Sequence, residues 1–166
     1  ALGDEHQVTL TCMNNLAWIY NEQHQYQLAE PLWVEALATR RRVFGDDHLF
    51  TLISANNLGM HYTATGRYIE AERIHRDVLA RRQRTLEAQH PHIMISMTNL
   101  ADALRGQKRF AAAESLYLKS YDLQVAKLGP AHMDAQITAD GAARLYELMN
   151  RPDEEATWRA RGRTSK

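Results

Sequence analysis

Apolar residues along this chain recur at steps of three and four, the spacing that lines side chains along one face of an α-helix. Leu10, Met13, Leu16, Ala17 and Tyr20 form one such stripe, and Leu52, Ala55, Leu58, Gly59 and Tyr62 form another. Each predicts a helix of about four turns, termed helix A. A second stripe follows each after a short connection at Gln25 or at Gly66-Arg67: Ala29, Leu32, Trp33, Ala36 and Leu37 in the first case, Ala71, Ile74, Val78 and Leu79 in the second. These predict a helix B. Strand signals are absent, so the expected fold class is all-α.

An internal repeat organises these helices. Leu2-Gly3-Asp4-Glu5-His6 returns as Phe44-Gly45-Asp46-Asp47-His48, as Leu86-Glu87-Ala88-Gln89-His90 and as Leu128-Gly129-Pro130-Ala131-His132, which sets the histidines 42 residues apart. Other columns keep the same step, among them Ala17, Gly59, Ala101, Ala143 and Ala29, Ala71, Ala113. The repeats span approximately 2–43, 44–85, 86–127 and 128–166, in a single domain. A helix pair that buries one stripe per helix has no core until it stacks on the next pair, which predicts an α-solenoid of about four helix-turn-helix hairpins. Pro91, directly after His90, suits a first helical position and predicts that helix A starts there in every repeat. Gly66 suits the turn between helices, and Gly3, Gly45 and Gly129 suit the stop after a preceding helix B. In the fourth repeat, the segment Arg151 to Ala156 reads as shifted by one residue, and the unit is expected to be a frayed or polar cap with a mobile tail from Arg159 to Lys166.

Composition narrows the role. Twenty Lys+Arg balance twenty Asp+Glu over 166 residues, with a pI near 7.3, which removes the electrostatic argument for nucleic-acid or membrane-surface binding and leaves proteins and peptides as partners. The longest uncharged stretch, His48 to Gly66, is too polar to span a bilayer. Cys12 is the one cysteine; it excludes an internal disulfide framework, fits a reducing, cytoplasmic setting, and is expected to be a buried, inert thiol. A start at Ala1 without methionine suggests a fragment of something longer.

Catalytic signatures are missing: there is no Gly-rich phosphate loop, GxSxG or HExxH. The period-42 histidines begin different helices, about 10 Å apart in a stack, too far to share a metal, and capping or packing explains them better. No enzyme, cofactor or metal is therefore expected. Arg40-Arg41-Arg42 and Arg81-Arg82-Arg84 read as cations favoured by the dipole in a last helical turn.

The residues Asn14-Asn15-Leu16-Ala17, Asn56-Asn57-Leu58-Gly59 and Asn99-Leu100-Ala101, with Gly66-Arg67-Tyr68-Ile69-Glu70-Ala71-Glu72, resemble the tetratricopeptide repeat, in its 42-residue kinesin-light-chain-like form. The resemblance covers nearly the whole chain and implies a right-handed superhelix with helix A on its inner wall. It further implies that the asparagine before the Leu-Ala pair grips a peptide backbone, a place held here by Asn15, Asn57 and Asn99. An amide offers both a donor and an acceptor, so it pairs with a backbone unit of any sequence. On the same stripe of helix A lie Asn14 and Asn56, the apolar contacts Trp18, Ile53, Met60 and Ile95, and the charged Asp102, Arg105 and Arg144, the two arginines suited to acidic residues or a terminal carboxylate. The expected function is a module that binds a linear peptide segment on that face. The alternative is a scaffold arm of a larger signalling protein, acting through self-association or intramolecular docking.

Overall fold

The computed structural model describes residue 3 and residues 5–163. Among these the chain forms eight α-helices and no strand: α1 (Gln7–Glu22), α2 (Tyr26–Phe44), α3 (Leu49–Ala64), α4 (Tyr68–Thr85), α5 (Pro91–Gly106), α6 (Phe110–Leu128), α7 (Met133–Leu148) and α8 (Pro152–Gly162). Odd-numbered helices are helix A and even-numbered ones helix B.

The recurring histidine is the N-cap of each helix A. The Nδ1 atoms of His6, His48, His90 and His132 accept the backbone N–H two residues on, at 3.2, 3.3, 3.2 and 3.2 Å. That bond satisfies one of the four amides a helix start leaves without a partner, which is why the residue recurs. Pro91 is the first residue of α5, where it needs no amide. The turn between helices A and B places one residue in the left-handed region in every repeat: His24 (φ 58°), Gly66 (φ 76°), Lys108 (φ 61°) and Asn150 (φ 56°). Glycine is present in only one of the four, so that column is invisible to a search for glycine.

The chain divides into two compact units, residues 1–81 and 82–166. In unit 1, Trp33 is fully buried on α2 and packs its indole against the buried His61 ring of α3 at 5.4 Å. Glu30 of α2 pairs with Arg67 at 2.7 Å, and Arg67 also reaches Glu70 at 3.0 Å and lies over the Tyr62 ring at 4.1 Å. Unit 2 repeats this network at a step of 84 residues. Tyr146 donates to Glu114 at 2.5 Å, and Arg151 contacts Glu114 and Glu154 and lies over the Tyr146 ring at 4.8 Å.

That correspondence corrects two expectations for the fourth repeat. Arg151–Glu154 matches Arg67–Glu70 residue for residue, so the segment is not shifted. The helix is not frayed either: α8 runs to Gly162, anchored by the buried Trp158, whose ring meets Tyr121 edge to face at 5.0 Å. Of the tail expected to be mobile, Arg159 to Gly162 are helical and Thr164 to Lys166 lie outside the described residues, as do Leu2 and Asp4 of the first repeat motif.

Two of the arginines read as cations favoured by a helix dipole are interior. Arg40 is 2 % exposed and Arg82 is 3 % exposed. Arg40 donates from Nη1 to the Phe50 carbonyl (3.1 Å) and to Ser54 Oγ (2.7 Å), and from Nη2 to Thr11 Oγ1 (3.1 Å). Arg82 repeats the pattern on the His92 carbonyl (3.0 Å) and Ser96 Oγ (2.7 Å). Neither has a carboxylate partner among the described residues, and burial pulls the Arg82 guanidinium down to about 10. Each arginine therefore ties the end of helix B to the first turns of the next helix A.

Candidate binding surface

Adjacent asparagines of helix A have different fates, because successive residues on a helix point about 100° apart. Asn14 is buried: its Nδ2 donates to the Leu10 carbonyl at 3.0 Å and across to Ser54 Oγ of α3 at 3.1 Å. It stitches two repeats together from a buried position, where the sequence placed it on the peptide face. Asn56 is also buried, with Nδ2 3.4 Å from the sulfur of Met60, and it too is set back from the surface. Asn15 is exposed and Asn57 half-buried, and among the described residues neither amide bonds to anything within the chain.

Register shows what these two amides share. Asn14 bonds to Ser54, and Asn21, seven residues on, accepts from His61 Nδ1 at 3.0 Å. Trp18 lies between the two asparagines along α1, and Asn57 lies between their partners along α3. The helical wheel sets them on the same side of that contact. Trp18 is 41 % exposed, and Ile53 and Met60 are half-buried on α3. Unit 1 thus gathers Asn15, Trp18, Asn57, Ile53 and Met60, none of them charged, on one wall, with the exposed Glu22 one turn beyond Trp18.

Unit 2 presents a different wall. Ile95 and Asn99 on α5 are half-buried, but beyond them stands a cluster that sequence reasoning did not find. The fully buried Tyr117 of α6 donates its hydroxyl to Asp102 Oδ1 at 2.6 Å, and Arg105 bonds to both, from Nη2 to Asp102 at 2.8 Å and from Nε to the tyrosine oxygen at 3.1 Å. Burial, then the Asp102 charge, push the Tyr117 hydroxyl above the ordinary tyrosine range, so it stays a donor. Arg105, expected to meet an acidic ligand, is engaged inside the chain, whereas Arg144 on α7 is exposed with no ion-pair partner among the described residues. The visible signal was Gly141, which stands in the asparagine column: a Cβ there would lie 2.8 Å from the Tyr117 ring.

The thiol expected to be buried is exposed. Cys12 shares a column with Ser54, Ser96 and Thr138, each fully buried. Leu16 and Ile19 likewise are 41 % and 51 % exposed, where Leu58, His61, Leu100, Ala103, Ala142 and Leu145 are buried. No hairpin precedes α1 among the described residues to cover that face.

Among the described residues no three His, Cys, Asp or Glu side chains are grouped to hold a metal ion, and no helix is long and apolar enough to cross a membrane. Tandem 42-residue helical hairpins with histidine-capped A helices and amide-bearing walls define a repeat scaffold for protein–protein interaction. The family model for the tetratricopeptide repeat matches residues 19–84, 51–124 and 92–158, and the chain belongs to that family. Among solved structures it is similar to the nearly identical TPR-like repeats of a candidate kinesin light chain from Podosopora anserina (25 % identity, TM-score 0.74, 98 % of this chain and 77 % of that chain) and to a single-substitution variant of those repeats (25 %, TM-score 0.77, 98 % and 77 %). BtubC (BKLC) of P. vanneervenii shares the fold at 17 % identity and TM-score 0.77, over 93 % of this chain and 61 % of that one. Comparison with curated proteins gave no match.

Proposed function

We propose that the chain is a non-catalytic, cytoplasmic module that binds an extended peptide of a partner protein along helix A, through Asn15, Asn57 and Asn99. The observation that carries this reading is the contrast within each Asn-Asn pair: Asn14 is spent inside the fold, while Asn15 and Asn57 keep donor and acceptor open beside Trp18. Trp18, Met60, Ile53 and Ile95 supply apolar contact, and Arg144 supplies a cation for an acidic residue or a terminal carboxylate. Selection of a random-peptide library on the purified chain, followed by calorimetry with the enriched peptide, tests it. Asn57→Ala is expected to weaken that peptide by about 1–2 kcal/mol, as for a buried hydrogen bond, with helicity unchanged. Unaltered affinity with a lowered melting temperature refutes the role.

A second reading, self-association, is favoured by the uncovered apolar face of α1 at Val8, Leu16 and Ile19. Light scattering on the size-exclusion peak separates the two, since a dimer dissociated by Ile19→Glu supports it and a monomer does not.

A further inference from the structure

The step of 84 residues that superimposes the networks of the two units also exposes one place where they differ. It pairs Leu37 with Tyr121, Ile74 with Trp158 and Asp77 with Arg161. In unit 2 the site between α6 and α8 is filled: Trp158 is 4 % exposed against Tyr121, and the Arg161 guanidinium lies 4.4 Å over the indole and 5.4 Å over the phenol. In unit 1 the corresponding site between α2 and α4 is an open groove of about 490 Å³, floored by the largely buried Leu37, Leu58 and Tyr62 and walled by the half-buried Ile74 and the exposed Val34. That volume is in the range of pockets that hold small ligands, roughly 300–1,000 Å³.

The rim decides what else the occupant carries. Arg41 is paired with Asp46 at 3.1 Å, and Asp77 with Arg81 at 2.8 Å. Arg73 is exposed and makes no ion pair within bonding distance among the described residues, since Glu70, which feels its charge, is held by Arg67. The lining therefore offers a small apolar floor, on which a flat ring can lie, under a charged rim that holds one cation without a direct partner. Arg73 and Ile74 are adjacent in the same lining, so a single residue that carries both a ring and an anion satisfies both.

We propose that the groove between α2 and α4 is a docking site for the C-terminal aromatic residue of a partner polypeptide, its ring in the space that Trp158 fills in unit 2 and its terminal carboxylate on Arg73. The site lies between the B helices α2 and α4, over Leu58 and Tyr62 of α3, and uses none of Asn15, Asn57 or Asn99, so it does not depend on the peptide-face reading.

N-acetyl-tryptophan, which carries both groups, and N-acetyl-tryptophanamide, which lacks the carboxylate, are titrated into the whole ¹⁵N-labelled chain. Expected are amide shifts at Leu58, Tyr62 and Ile74 with both, and roughly tenfold tighter binding of the acid, as a charge-assisted pair provides. Arg73→Gln should bring the acid to the amide's affinity and leave the amide unmoved. Ile74→Trp, which installs the unit 2 residue, should abolish the shifts with both. Equal affinity of acid and amide for the unmodified chain, or no shift at the three residues up to about 20 mM, the weak end for so small a ligand, overturns the proposal whatever the variants do.

Discussion

Arg40 offers the sharpest test of how the hairpins are held. Its guanidinium makes three hydrogen bonds, to the Phe50 carbonyl, Ser54 Oγ and Thr11 Oγ1, at 2 % exposure and with no carboxylate partner among the described residues. Bonds to a charged group contribute about 1.5–3 kcal/mol each, but desolvating the charge costs several kcal/mol, so the polar balance is small. Arg40→Ala also opens a cavity, and large-to-small changes in a core cost about 2–5 kcal/mol; a loss near 3 kcal/mol is expected. Arg40→Met fills most of the volume and buries no charge. Ser54 still receives Asn14 Nδ2 at 3.1 Å, so little is orphaned. The Met variant should therefore stay within about 1 kcal/mol of the parent. Gln124, 1 % exposed in the same column of the third repeat, fits a neutral residue there. Urea unfolding followed by circular dichroism reads both variants. If methionine costs as much as alanine, the hydrogen bonds rather than the packed volume hold the junction, and the reasoning fails.

Gly59→Ala should destabilise by about 1–3 kcal/mol although the other repeats carry alanine in that column, because the new Cβ would lie 2.6 Å from the buried His75 ring. Pairing it with His75→Ala should recover part of the loss in a thermal melt, and full additivity would count against the clash. Stability should fall on acidification. Burial holds His61 and His92 below the ordinary 6.5, so as the pH drops through that value the unfolded chain takes up protons that the folded chain resists. Glu30, which burial raises and Arg67 more than offsets downward, adds a further loss below its ordinary 4.5. A melting temperature unchanged from pH 7 to about 5 would refute the assignment, and His61→Gln should flatten that part of the curve.

Period, helix order and cap positions were legible because the residues that repeat are the ones that make local bonds: a histidine accepting an amide two residues on needs nothing from the rest of the chain. Tertiary partners were not legible. An arginine in a last helical turn has the same pattern whether it meets water or, like Arg40, reaches the next helix. Of two neighbouring amides, only the position of α3 decides that Asn14 is buried and Asn15 is not. Leu16 fits the apolar stripe as well as Leu58 does, yet its burial depends on a covering hairpin rather than on its own helix. The Tyr117–Asp102–Arg105 cluster left one trace, the glycine at position 141.

The exposed thiol on α1 has a practical side. With one sulfhydryl in the whole sequence, a maleimide fluorophore attaches at one defined point without mutagenesis. That point is six residues before Trp18, and an indole quenches many dyes on contact. This chain thus carries a ready attachment point for an optical reporter on its first helix.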